Sequence, residues 1–478
     1  MLDKIRAYID KMPRRKKGLW IGSVAASTCL ILGFEAWLFS LHGTLGLVQV
    51  NHSIRYLFII LVAYGLAVPV IAFLDVLIQS RRPVDRINLP SLPVWIAAIV
   101  GIVVPIILLG FLLGSGICHR VGDKPPQLLL ADGAGAHGIP DMAVCFWTLD
   151  PSQNTLYWGV GDEQASLQEQ EPSKQHAFNL PDLFPDTEYW YRINEGGIFR
   201  FTTPPAADKP LHFAVGSDAH IGAAISRHDL TLKMLQQIAN PEHNFDAFFY
   251  LGDFVDLGFR DSLWHKAIES FSPTTSVIPS RPIIGNHDTL FGGLNLYEDY
   301  CYPDGMELET GSRLYYRIDI NDIHFLLLDL EWSAESYTAA QNEWLEKQLA
   351  GISPEDWTIV MSHGYYYSSG TVEDGWNWWD NQETIQRITP LFEKYDVDLV
   401  VSGHNHILEV LQKSGVTYLI CGAFGGPPEP ERTYTSPQSI WYMQGAYAFM
   451  DVTIDAQAAT IIFRDPDYNE LRTFMVLP

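Results

Sequence analysis

The chain has 478 residues, too many for one hydrophobic core, so two or more domains are expected. Its net charge of −25 is unevenly spread: residues 1–123 hold 12 Lys/Arg against 6 Asp/Glu, and the remainder holds 19 against 50. So acidic a body repels phosphate backbones, and nucleic acid is not expected as a partner. The five cysteines form no CxxC pair, which argues against a cysteine zinc site and for unpaired, buried thiols.

Three apolar stretches lie in residues 1–120: Gly18–Phe34, running on to about Ser40, then Tyr56–Leu74 and Ser91–Cys118. Each is long enough to cross about 30 Å of hydrocarbon as a helix. Lys4, Arg6, Lys11, Arg14, Arg15, Lys16 and Lys17 precede the first, and Arg81, Arg82 and Arg86 separate the second from the third. By the positive-inside bias the amino terminus is cytoplasmic. The expectation is an integral anchor in the inner or plasma membrane, with everything after Cys118 outside the cytoplasm.

Residues 124–205 run in short apolar stretches without a helical period, among them Met142–Trp147 and Thr155–Trp158. An all-β sandwich is predicted. Leu183 to Tyr191, with the sequence LFPDTEYWY, resembles the tyrosine corner of fibronectin type III domains, and Pro204-Pro205 reads as a linker. The expected role is a spacer that buttresses the next domain.

From residue 209 onward apolar runs alternate with helical segments such as 229–238 and 339–349, an α/β pattern. Five runs end in polar groups suited to metal chemistry. They lead into Asp218-Ala219-His220, Gly252-Asp253-Phe254-Val255-Asp256, Gly285-Asn286-His287-Asp288, His363-Gly364 and Gly403-His404-Asn405-His406. Sites in open α/β sheets form at the carboxyl ends of strands, so these five ends can converge.

The five motifs, in this order, resemble the calcineurin-like metallophosphoesterases, and with the preceding sandwich they resemble purple acid phosphatases. The resemblance covers residues 124–478. It implies a four-layer α/β/β/α sandwich over 209–478 and a two-metal site. Asp218, His220 and His406 would hold one ion, Asn286, His363 and His404 the other, and Asp253 would bridge them. The ions would be two divalent cations, or one trivalent and one divalent, drawn from zinc, manganese and iron. Four positive charges against two carboxylates leave a surplus for a hydroxide and a phosphate. Asp256 stands where purple acid phosphatases carry a tyrosine ligand, so their colour is expected to be absent.

The implied activity is hydrolysis of small phosphate esters by attack of hydroxide on phosphorus. His287 is expected as general acid, with Asp288 orienting it. Monoester hydrolysis, diester hydrolysis of lipid headgroups or nucleotides, and phosphate-compound binding without turnover all remain open at this point. Beside His363 lies an aromatic stretch, Tyr365, Tyr366, Tyr367, Trp376, Trp378 and Trp379, which reads equally as a substrate wall or as loop packing. Strands in 415–478 are expected to complete the second sheet, and Gly425-Gly426-Pro427-Pro428 is expected to loop near the site.

Overall fold

The computed structural model describes residues 126–302, 312–373 and 376–478, all within the compact unit His119–Pro478. The predicted membrane spans lie outside the described residues. Among the described residues no helix is long and apolar enough to cross a membrane.

Seven strands come first: β1 (Gln127–Leu130), β2 (Met142–Ser152), β3 (Thr155–Gly159), β4 (Ala165–Gln168), β5 (Ser173–Leu180), β6 (Glu188–Ile193) and β7 (Phe199–Thr202). Next are β8 (Leu211–Gly216), α1 (His228–Ile238), β9 (Ala247–Tyr250), α2 (Asp261–Thr275), β10 (Ser280–Pro282), α3 (Asn286–Thr289) and α4 (Gly293–Cys301). The second half begins with β11 (Tyr316–Ile320), β12 (Ile323–Leu328), α5 (Ala339–Ala350), β13 (Trp357–Ser362), β14 (Val372–Glu373) and β15 (Trp376–Asn377). It closes with α6 (Gln382–Arg387), α7 (Thr389–Lys394), β16 (Leu399–Ser402), β17 (Ile407–Lys413), β18 (Val416–Cys421), β19 (Ser439–Gln444), β20 (Phe449–Ile454), β21 (Ala459–Arg464) and β22 (Glu470–Val476).

Two large sheets carry the site. One has nine strands in the order β22-β21-β20-β8-β9-β10-β1-β2-β5, and the other has seven, β11-β12-β13-β16-β18-β17-β19. The strands β8, β9 and β10 are parallel, as are β12, β13, β16 and β18. Their central members are apolar almost throughout because both faces are covered. Along β12 the side chains alternate between two cores: Phe325 and Leu327 enter the one between the sheets, Leu326 and Leu328 the one under the helices. Phe325 meets Phe213 and Phe249 of the other sheet, with ring centroids 5.3 and 4.6 Å apart. Behind the nine-stranded sheet Phe248 packs on Phe271 of α2, and behind the seven-stranded sheet Leu345 of α5 and Phe392 of α7 fill the second core. Helices therefore lie outside both sheets.

The strands of 124–205 do not stand apart from the nine-stranded sheet. β3, β4, β6 and β7 make their own four-stranded sheet, whereas β1 pairs with β10 and carries β2 and β5 into the nine-stranded one. Without β1 the outer edge of β10 would leave its backbone groups unpaired. The seam is held by Arg281 of β10, which is fully buried. Its guanidinium donates to the Leu130 carbonyl and Asp132, and lies 4.5 and 4.0 Å from the ring centres of Tyr302 and Tyr316. Further ties run from Tyr191 Oη to the Ser276 carbonyl (2.8 Å) and from Trp147 Nε1 to the Asp299 carbonyl (2.7 Å).

The carboxyl-terminal strands also differ from expectation. β17, β18 and β19 belong to the second sheet, but β20, β21 and β22 extend the first, because β20 pairs antiparallel with the free side of β8. Hydropathy marks such strands as buried without naming the edge they cover. The helical stretch that precedes β16 is broken into α6 and α7 at Ile388, two residues before Pro390. Cys145, Cys301 and Cys421 are buried, unpaired thiols.

Candidate metal centre

All five motifs lie just past the carboxyl ends of parallel strands: Asp218 and His220 after β8, Asp253 and Asp256 after β9, Asn286 after β10, His363 after β13, His404 and His406 after β16. The nine-stranded sheet supplies the first three ends and the seven-stranded sheet the other two. The loops turn back so sharply that Asp218, His220, Asp253 and His404 take φ of 67°, 44°, 54° and 67°. A left-handed backbone costs about 1–2 kcal/mol at a residue with a side chain, although Asp and His tolerate it better than most. Gly252 and Gly285 let the loops after β9 and β10 touch. A Cβ on Gly285 would fall 2.3 Å from Asp253 N, and one on Gly252 would fall 2.6 Å from Gly285 N.

The side chains converge as two linked groups. His220 Nε2 and His406 Nε2 are 2.9 Å apart, and Asp218 Oδ1 is 3.7 and 3.4 Å from them. Asn286 Oδ1 is 2.9 Å from both His363 Nε2 and His404 Nδ1. Asp253 Oδ2 joins the two, 3.3 Å from His220 Nε2 and 3.4 Å from His363 Nε2. Asp218, Asp253, Asn286 and His363 are at most 1% exposed. The structure thus brings together all seven side chains expected as ligands.

This arrangement fits cations. Asp218 Oδ1 is buried without a hydrogen-bond partner, and imidazole nitrogens face each other closer than two neutral lone pairs favour. Burial disfavours charge on His363, but Asp253 and Asp218 outweigh it and push its imidazole up to about 9. Burial likewise opposes ionisation of Asp218, yet His363, His220 and His406 hold it far below the usual carboxylate range. The pocket is built to surround positive charge. Two of the other ring nitrogens are anchored on backbone: His363 Nδ1 on the Leu251 carbonyl at 2.7 Å, and His406 Nδ1 on that of Pro427. The Gly425–Pro428 segment does loop at the site, with Gly426 N donating to Asp218 O at 2.7 Å.

His287 stands at the edge, 30% exposed, its ring edge-on to His220 at 4.5 Å. Its orienting partner is not Asp288. His287 Nδ1 lies 2.7 Å from the Asp256 carbonyl and 3.7 Å from the Asp256 carboxylate. Asp288 is fully buried and accepts from Asp253 N (2.8 Å), Gly285 N (3.1 Å) and Val255 N (3.2 Å). It clips the loop after β9 to the loop after β10. Burial and the neighbouring Asp253 push its carboxyl up to about 8.

The aromatic stretch divides. Tyr366 and Tyr367 are core, packed on Phe392 and Tyr418, so loop packing accounts for them. Tyr365 and Trp378 lie against His404, with centroids 5.7 and 5.4 Å away. Two participants escaped the sequence reading. Trp332 sits 5.2 Å from His404, and buried Glu331 bonds Thr289 Oγ1 at 3.0 Å. Both follow β12, so the strand-end rule applied to a sixth strand finds them.

Residues 211–408 match the family of calcineurin-like phosphoesterases. Purple acid phosphatase 21 of Arabidopsis thaliana is 27% identical over 245 residues, which cover 49% of this chain and 53% of that protein. Probable inactive purple acid phosphatase 27 of the same plant is 23% identical over 279 residues, covering 50% and 44%. The chain spans about half the length of the curated relatives it matches. In fold it is similar to the purple acid phosphatase PPD1 from yellow lupin (Lupinus luteus) seeds, with a TM-score of 0.63 and 16% identity over 75% of this chain and 74% of that one. Over residues 211–408 the chain is thus similar to calcineurin-like metallophosphoesterases, and over about half of its length to purple acid phosphatases.

The clip role of Asp288 has a consequence. Asp288→Ala strands three backbone N–H groups, each costing about 1–3 kcal/mol when buried without a partner. Urea unfolding should show a loss of several kcal/mol, with metal content falling in parallel. Unchanged stability with a selective loss of leaving-group protonation would return Asp288 to an orienting role.

Proposed function

We propose that this protein is a membrane-anchored two-metal phosphoesterase. The reading rests above all on Asp253, whose Oδ2 lies between His220 and His363 and so between both ligand groups. Asp218, His220 and His406 would hold one ion, Asn286, His363 and His404 the other, and Asp253 both. When bound, such ions acidify water and neutralise charge gathering on phosphorus. The chain's own contribution is to keep these donors fixed and largely dry. His287 serves as general acid: the Asp256 carbonyl accepts a hydrogen bond from Nδ1–H, which leaves Nε2, protonated in the imidazolium form, to hand its proton to the departing oxygen. Monoesters and diesters are both compatible with this set.

Residues 1–120 are the proposed anchor, with the catalytic unit outside the cytoplasm, supported by three apolar runs and the placement of Lys and Arg. The strands β1 to β7 are the proposed fibronectin type III-like buttress, supported by the bond from Phe184 N to Tyr189 Oη at 3.1 Å.

Three measurements test this. Purified protein should bind close to two metal ions per chain, and Asp253→Asn should lose both metal and activity; full activity in that variant would end the bridging role. His287→Ala should keep its metal and most turnover of a nitrophenyl ester, whose leaving group departs as an anion. Alkyl phosphates should slow by roughly 10²–10⁴, and equal losses on both esters would assign His287 to phosphate binding instead. Protease added outside intact cells stripped of any outer layer should degrade the chain beyond Cys118, whereas protection until lysis would reverse the orientation.

A further inference from the structure

The two sides of the centre are unlike. On the side of the nine-stranded sheet the half-exposed groups beside the ligands are His287 and Asp256. On the side of the seven-stranded sheet the half-exposed groups are two indoles, Trp332 and Trp378. They reach His404 from separate segments, after β12 and after β15, with ring centroids 5.2 and 5.4 Å from the imidazole. Their own centroids are 5.7 Å apart at a 35° tilt, so the two indoles adjoin in one aromatic patch beside His404. Tyr365, stacked on His404 at 5.7 Å, is buried behind them.

The wall is held rigidly from beneath. Asn405, between the ligands His404 and His406, donates to the Trp378 carbonyl at 3.4 Å and to Ser368 Oγ at 2.8 Å. Two residues past Trp378, Asp380 accepts from Ser368 N, Ser436 Oγ and Tyr434 Oη at 3.1, 2.8 and 2.6 Å. Asn381 donates to the Trp332 carbonyl at 3.4 Å and accepts from Ser333 Oγ at 2.9 Å, tying the two loops together. Packing alone needs no such device, since Tyr366 and Tyr367 of the same stretch are fully absorbed by the core. A pre-set apolar face beside a polar, charged centre is how sites for small organic ligands orient them.

We propose that Trp332 and Trp378 form a stacking platform for a flat ring carried by the organic part of the substrate. The preferred esters would then be those of nucleosides or aryl alcohols over those of small aliphatic alcohols. This rests on the phosphoesterase reading and adds the substrate class to it. Every base presents a π-face, so an indole wall reads flatness and not base identity.

The test uses full-length, metal-loaded protein with AMP and glycerol 1-phosphate as paired probes. Wild type should turn over AMP with the higher kcat/KM, and adenosine, which lacks phosphate, should inhibit competitively where ribose does not. In Trp378→Leu and Trp332→Leu the ratio of kcat/KM for AMP over glycerol phosphate should drop about 10- to 100-fold, mostly through KM. Trp378→Phe, which keeps a stacking face, should recover much of that ratio and stands in should the leucine variant fail to fold. Equal kcat/KM for the two esters in wild type, or equal losses in the variants, overturns the platform. So does metal loss accompanying the drop, which would make the indoles packing for His404. A wild-type preference for phosphocholine over AMP would overturn it too, since a quaternary ammonium also favours aromatic faces. Turnover of neither ester would end the phosphoesterase reading instead. Calorimetric binding of adenosine to wild type and to Trp378→Leu then still decides the platform.

Discussion

Two buried carboxylates facing four imidazoles are the constraint on which the rest of this structure depends. Asp218 and Asp253 are 0% and 1% exposed, and a bare carboxylate in such a place is far outside what folding tolerates. Each is surrounded by ring nitrogens and backbone N–H groups, such as His404 N on Asp218 Oδ2 (2.9 Å) and His287 N on Asp253 Oδ1 (2.8 Å). Aiming that many polar atoms at one point forces four residues into left-handed backbone and needs glycines where loops meet. The strain persists because the surrounding sheets over-determine the loops. Asp288 belongs to the same account, as a buried carboxyl spent entirely on backbone.

The two-sheet architecture explains how the site can be assembled at all. Parallel strands end on the same side, and two such sheets packed through Phe213, Phe249 and Phe325 bring five ends to one crevice. Each sheet contributes part of each ligand group: His406 joins Asp218 and His220, and Asn286 joins His363 and His404. The centre therefore spans the interface between the sheets, and its geometry depends on how they pack. Arg281 matters at a distance for the same reason. By stitching β1 to β10 it extends the sheet that carries three of the five ends.

The two flanks of the centre are chemically unlike. One flank has an imidazole whose Nδ1 is fixed on a backbone carbonyl, ready for proton exchange at the other nitrogen. The other has indoles held by Asn381, Asn405 and Asp380. Asp256 sits on the first flank, its carboxylate 3.8 Å from His220 Nδ1 and 3.7 Å from His287 Nδ1. It sets a carboxylate beside both imidazoles.

The sequence alone placed metal-suited side chains at the ends of five apolar runs, and the resemblance of those five motifs to metallophosphoesterases singled out the seven candidate ligands among them. The sequence also determined the helices at 228–238 and 339–350, whose apolar spacing is local information. Tertiary structure decided what depends on distant partners. Whether β1 stays within a separate sandwich or extends the nine-stranded sheet turns on a pairing between Leu129 and Ser280, and β20 joins β8 across more than two hundred residues. The partner of His287 is a backbone carbonyl of Asp256, and every residue has a carbonyl, so no side-chain pattern points to it. The division of the aromatic stretch into core tyrosines and a half-exposed indole has the same cause. Identical residue types run on along one loop, and only the three-dimensional path of that loop settles which of them meets the core and which meets His404.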